Sequence, residues 1–208
     1  AIKENKDVLL IDDAKIDTPA ESNAYGKTGL NVNNGQTIDG NGNTLEVSGA
    51  NGTWDSGIST TGGLIQNITI KGAFRGIFIN HTSTHSEKVV LENVTIGGNG
   101  TVYTISCDQG KYQGIEATNC TFNGWTSYAA TIGAVKFNGC SFGSGQGYAF
   151  CRPYGPTTFK NCAFEAGFEV DALGQVTFEN CTIGGVALTA DNLATLVTSG
   201  TIANATVK

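Results

Sequence analysis

The chain has little charge, few arginines and no methionine. Only 14% of its 208 residues are charged, with 12 basic against 18 acidic side chains and a net charge of −6. No stretch is rich in Lys or Arg, so the electrostatic footprint of a nucleic-acid binder or of a protein held on an anionic membrane is missing. No run approaches the ~20 apolar residues of a membrane-spanning helix. Methionine is absent altogether, and we expect a processed product whose secretion signal has been removed. No long helical pattern separates the apolar segments, which argues against alternating strands and helices. A six-residue period is missing as well, which disfavours a left-handed hexapeptide solenoid.

Glycine is what the chain has in excess. Its 29 glycines are about twice the typical ~7%, without a period of three. With so few charges, the surface must be built from Asn, Thr, Ser and Gly. Gly and Asn supply the positive-φ corners of tight turns, so the composition suits a β architecture.

A repeat organises most of the sequence. A turn residue followed by two inward positions around one outward position recurs as Asn67-Ile68-Thr69-Ile70, Asn93-Val94-Thr95-Ile96 and Asn119-Cys120-Thr121-Phe122. It continues as Gly139-Cys140-Ser141-Phe142, Asn161-Cys162-Ala163-Phe164 and Asn180-Cys181-Thr182-Ile183, at intervals of 26, 26, 20, 22 and 19 residues. Asn43-Thr44-Leu45 fits more loosely ahead of them. Further alternating segments precede each row (Ala134–Phe137, Gln175–Phe178) and follow it (Gly76–Ile79, Phe168–Val170). Three short strands per ~20–25 residues describe one coil of a parallel β-helix. The column of turn residues holds Asn five times and Gly once, the residues that best tolerate a left-handed bend. Stacked at ~4.8 Å, the Asn amides can hydrogen-bond from coil to coil.

The recurrent Asn followed by Cys, Val or Ile, together with TIDGNGNTLEV at residues 37–47, resembles the pectin lyase-like superfamily. The resemblance implies a single-stranded right-handed parallel β-helix and covers roughly residues 37–190. We therefore expect an all-β solenoid of about seven coils forming one domain. Residues 1–36 are expected as an N-terminal cap or strand, and residues 191–208 as a C-terminal cap over the open end.

The superfamily contains pectate lyases, polygalacturonases and pectinesterases, and this chain lacks their marks. Pectate lyases carry Arg-x-Pro-x-x-Arg; Arg152-Pro153 has neither the spacing nor the second arginine, and Arg75 is the only other one. Polygalacturonases carry Asn-Thr-Asp, Asp-Asp and Gly-His-Gly. Here the single Asp-Asp, Asp12-Asp13, lies outside the coils, and neither His81 nor His85 is flanked by glycines.

The cysteines Cys120, Cys140, Cys162 and Cys181 fall one coil apart, a column that cannot surround one ion as zinc requires. Because Ile68 and Val94 share that column, a reduced core ladder is expected; a disulfide between neighbouring coils is the alternative. No cofactor and no metal site is expected. The outward column Thr69, Thr95, Thr121, Ser141, Ala163 and Thr182 is similar to the Thr rows of ice-binding solenoids. It is a single row broken by Ala163, so ordinary solvated strand is the simpler reading. Asn-x-Thr triplets such as Asn67-Ile-Thr and Asn93-Val-Thr arise from the same ladder.

One face carries candidate binding residues. If Ile79, Cys107, Cys151 and Val170 correspond, the next outward positions are Asn80, Asp108, Arg152 and Asp171, with Arg152 one coil from Asp171. Adjoining loops add His81, His85, Tyr112 and Tyr154, and Trp125 with Tyr128 form a second candidate. Rings that stack on sugars and planar groups that bond hydroxyls are what glycan recognition uses. The expected function is a secreted or cell-surface, non-catalytic, adhesin-like module, bacterial in source, that binds polysaccharide or surface glycan. The alternatives are a polysaccharide lyase or glycoside hydrolase on acidic polysaccharide, and a structural stalk of a larger surface protein.

Overall fold

In the computed structural model, the asparagines at the corners adopt the backbone their position demands. Asn67, Asn93, Asn119, Asn161 and Asn180 have φ between 51° and 54°, and Gly139 has φ 64°. Each corner joins two faces of a solenoid. The structure describes residues 6–49, 51–80, 87–108, 111–129, 131–198 and 202–208.

The fold is all-β, with parallel strands in curled sheets. The first face stacks Thr37–Asp39, the first halves of Gly63–Lys71 and Val89–Ile96, then Ile115–Thr118, Val135–Asn138, Thr157–Lys160 and Val176–Glu179. The second face stacks Thr44–Glu46, the second halves of the two long strands, then Thr121–Asn123, Ser141–Gly143, Ala163–Phe164 and Thr182–Ile183. The third face is a separate sheet of Lys27–Val32, Ser56–Thr60, Arg75–Ile79, Tyr103–Cys107, Trp125–Tyr128, Phe150–Pro153 and Glu169–Val170. Neighbours on every face pair one repeat apart and parallel, the pairing a solenoid imposes. Antiparallel pairs occur near the two ends of the chain, Glu21–Ser22 with Thr28 and Lys27, and Thr182–Ile183 with Ala187 and Val186.

The interior is a set of like-on-like columns. On the first face Ile38, Ile65, Leu91, Ala117, Phe137, Phe159 and Phe178 share one register; on the second, Leu45, Ile70, Ile96, Phe122, Phe142, Phe164 and Ile183 share another. All are buried except the half-buried Ile183. Phe137, Phe159 and Phe178 stack at 5.1 and 5.3 Å, and Phe142 stacks on Phe164 at 5.0 Å. Edge-to-face contacts such as Phe142 to Phe159 at 5.4 Å tie the two columns together, an arrangement the ring quadrupoles favour beyond the area buried.

Cys120, Cys140, Cys162 and Cys181 fill the column behind the corners, and Cys107 and Cys151 lie on the third face. All six cysteines are buried, and none of them is in a disulfide. Cys120, Cys162 and Cys181 donate to the carbonyls of Thr118, Lys160 and Phe159 at 3.3, 3.3 and 3.4 Å. Hydrogen bonding with the adjacent Cys140 thiol, for Cys162 also with Cys181, and then burial push Cys120 and Cys162 upward; burial alone pushes Cys151 up. Such thiols behave as small hydrophobes.

Coil-to-coil bonding between corner amides is present at Asn67 and Asn93. Asn93 Nδ2 donates to Asn67 Oδ1 at 3.0 Å, and Asn67 Nδ2 donates to Asp39 Oδ1 at 3.2 Å. At Gly139 the column is interrupted, and Asn161 turns to Asn138 Oδ1 at 3.2 Å. A Cβ on Gly139 would stand 2.7 Å from Asn119 Oδ1, so the smallest residue suits that corner twice over.

Two expectations shift. The loose row at Asn43 is out of place: Asn41 (φ 52°) and Gly42 (φ 84°) make that corner, within a turn closed by Asn43 N–H to the Gly40 carbonyl. Thr44 still pairs with Thr69, so this corner is two residues longer than the next. The sheets also begin before the repeat does. Val8–Leu9 and Ala14–Lys15 pair parallel with Thr37–Asp39 and Thr44–Glu46, and Thr28–Val32 pairs parallel with Ser56–Thr60. At the other end Leu193, Leu196 and Val197 pack onto the core, and Ala205–Val207 adds to the first face.

Candidate binding face

The third face has no Asn corner within it and its strands present aromatic and arginine side chains instead. In register along one edge lie Ser56, Arg75, Tyr103, Trp125, Phe150 and Glu169. Stacking one repeat apart brings these side chains into contact along the solenoid axis. Tyr103 stacks on Trp125 at 4.5 Å and 20°, and Tyr148 stacks on Trp125 as well, at 5.4 Å and 28°. Phe150 meets Trp125 edge-on at 5.7 Å. Tyr148 reaches its place from a tight turn, bridged to Gly145, in which Gln146 and Gly147 have φ 50° and 80°.

Arg75 sits inside this ladder. Its guanidinium carbon lies 4.2 Å from the Trp54 ring and 4.7 Å from the Tyr103 ring. Nε donates to the Thr53 carbonyl and Nη1 to Ser106 Oγ, both at 2.7 Å. The side chain is 6% exposed and has no carboxylate within ion-pair distance among the described residues. Burial pulls its pKa down, opposed by the field of Asp108. Cation–π contacts and neutral acceptors thus hold a desolvated charge. Burial also pushes the Tyr103 hydroxyl up, with Arg75 opposing.

Arg152 is differently placed. Its guanidinium carbon is 5.0 Å from the Phe150 ring and 5.6 Å from Trp125, and Nε donates to Asp171 Oδ2 at 3.1 Å. Its two Nη groups have no acceptor among the described residues, and a third of the side chain is exposed. Trp125, Tyr148, Phe150, Arg152 and Glu169 line an open depression of about 400 Å³. Tyr148 is 41% exposed, and the exposed Glu169 carboxylate has no hydrogen bond or ion pair among the described residues. The Trp125 Nε1–H is buried without an acceptor. A recess of similar size, about 390 Å³, borders Asn41, Asn67 and Asn93. There the Asn67 and Asn93 amides already bond within the ladder, which leaves less to offer a ligand.

The expected outward row divides. Each third-face strand has two inward positions, and Cys107 occupies the second, opposite Tyr128 and Pro153, while Cys151 occupies the first, opposite Thr126 and Val170. Arg152 therefore shares its row with Phe78, Ser106 and Ser127, and extension of the register places Asp108 beside Asn80, Ala129 and Tyr154. Arg152 and Asp171 are in contact one repeat apart. Tyr154 is 42% exposed, just past its strand. Tyr112 cannot offer a surface: it is buried and donates its hydroxyl to the Ala129 carbonyl at 2.9 Å. Tyr128 is buried as well, with its hydroxyl 2.9 Å from Thr157 Oγ1. His81 and His85 lie outside the described residues.

Sequence reasoning missed Tyr103, Tyr148, Phe150 and Glu169. The alternation Tyr148-Ala-Phe150-Cys-Arg152 is the signal that could have found three of the lining residues, because period two puts them on one side. Among the described residues no group of three His, Cys, Asp or Glu side chains could hold a metal ion. No family model matches the chain, and neither the curated proteins nor the solved structures contain a match.

Proposed function

We propose that the chain is a secreted or cell-surface, non-catalytic solenoid that binds glycan through its third face. The observation that carries this reading is the depression between Tyr148, Trp125 and Arg152, where an exposed ring stands beside guanidinium donors and a Glu169 carboxylate that have no partner among the described residues. An apolar ring face with convergent polar groups is the combination that sugars require. The like-on-like columns and positive-φ asparagines support assignment to the right-handed, pectin lyase-like type of β-helix. The twist of L-residue strands favours right-handed crossovers between parallel neighbours.

A non-catalytic role fits the disposition of the acids better than a lyase or hydrolase does. Glycoside hydrolysis needs two carboxylates facing each other across the bond. Asp171 is tied to Arg152, and Asp108 stands on a different row near Arg75. Glu169 belongs to the strand Glu169–Val170 and Asp171 directly follows it, so the two come from one segment rather than from opposite walls. The test is a glycan array probed with the folded protein, run beside a depolymerisation assay on acidic and neutral polysaccharides. Binding without chain shortening is expected; product release would overturn the non-catalytic reading, and an empty array would favour a purely structural role.

A further inference from the structure

We infer that the depression selects neutral sugar residues and discriminates against uronates and other anionic sugars. This rests on the glycan-binding reading and goes beyond it to the class of ligand. Among the described residues Arg152 is the one cation lining the depression, and its charge is already matched by Asp171 at 3.1 Å. Glu169 lines the same space, exposed and with no cation paired to it among the described residues. Together these three groups leave one uncompensated negative charge, so an incoming carboxylate or sulfate meets repulsion in addition to its own desolvation.

The same groups complement a hydroxyl pair. The free Nη groups of Arg152 donate, and the Glu169 carboxylate accepts. Sugar hydroxyls do both, and a charge-assisted bond at each end fixes the ring's orientation. Tyr148 provides the apolar platform. Tyr103 and Tyr148 both stack on Trp125, and of the three rings Tyr148, 41% exposed, has the surface left for stacking.

The test compares wild type, Tyr148→Ala and Glu169→Gln on an array of neutral oligosaccharides and of uronate, sialylated and sulfated ones, at low and at physiological salt. Both substitutions are at exposed positions, and circular dichroism confirms that each variant folds. Wild type is expected to bind neutral glycans only. Tyr148→Ala should lose about tenfold or more in affinity. Glu169→Gln should weaken neutral binding severalfold and admit anionic ligands, most visibly at low salt where charge is least screened. Preference of the wild type for anionic glycans, or a Glu169→Gln variant with unchanged selectivity, overturns the inference while leaving glycan binding intact. An array on which folded wild type binds nothing overturns the glycan-binding reading itself.

Discussion

The two faces that meet at the Asn corners and the third face are built from the same coils on different terms. At the corners, backbone geometry dictates the residue: a left-handed φ repeated at each turn admits Asn or Gly. The positions behind and beside the corner then repeat as Cys and Phe, with Thr pointing outward. On the third face no shared φ constrains the sequence, strands start after links of different length, and a register shift falls between Tyr103 and Ile105. There the stack mixes Trp, Arg, Tyr and Phe. Repetition marks where the chain is obliged to solve one physical problem again and again; the face freed from that obligation holds the exposed Tyr148 ring beside Arg152 and Glu169.

Predictions follow in which each face is asked to behave like the other. The largest effect is expected inside the repeat. Phe142 contacts Phe122, Phe137, Phe159 and Phe164, and Phe142→Ala should cost about 3–5 kcal/mol in denaturant unfolding. Next comes Arg75, the third-face residue that behaves as core. Arg75→Ala removes three ring contacts, to Trp54, Phe78 and Tyr103, and strands Ser106 Oγ and the Thr53 carbonyl, with an expected loss of about 2–4 kcal/mol. A loss below that of an ordinary surface substitution would place the whole third face outside the stabilising framework.

Smaller effects are expected at the corners. Asn93→Ala must hold φ near 53° without its bond to Asn67 and should lose about 1–2 kcal/mol, whereas Asn93→Gly should lose less. Equal losses would show that the amide bond, rather than the backbone angle, matters at the corner. The smallest effect concerns acid. Hydrogen bonds from the Asn41 amide N–H, then from the Asn67 and Gln66 side chains, hold the Asp39 carboxyl below its ordinary value. A depressed folded pKa gives stability that is complete above the unfolded value, near ~3.9, and is lost as pH falls through the folded value. Asp39→Asn should flatten that acid limb in equilibrium unfolding, and an unchanged pH profile would contradict the assignment.

How much was legible follows the same division. Asn67, Asn93 and their successors could be read because a left-handed corner tolerates so few residues, and the Thr and Phe positions followed from period two. Asn43 was misplaced because an extra pair of residues, including the true corner Asn41, lengthens the turn. Residues 8–32 join the sheets without carrying an Asn corner, so no repeat announced them. On the third face, two inward positions per strand allowed Cys107 and Cys151 to be equated when they differ by one step. Tyr112 and Tyr128 looked like loop rings, yet each hydroxyl found a partner inside the protein, which permits burial. The Arg152–Asp171 contact was legible because both residues follow a first inward position. The depression was not, because Tyr148 enters it from a turn whose geometry no repeat specifies.

The measurement closest to the central claim, that binding resides on the third face and stability in the repeat, is calorimetric titration with a neutral oligosaccharide selected on the array. Wild type would be compared with Tyr148→Ala from the third face and Thr95→Ala from the outward Thr row. The account predicts that Thr95→Ala binds as wild type does, while Tyr148→Ala, equally well folded, binds about tenfold more weakly or less. Undiminished binding by Tyr148→Ala, or binding lost in Thr95→Ala, would contradict it.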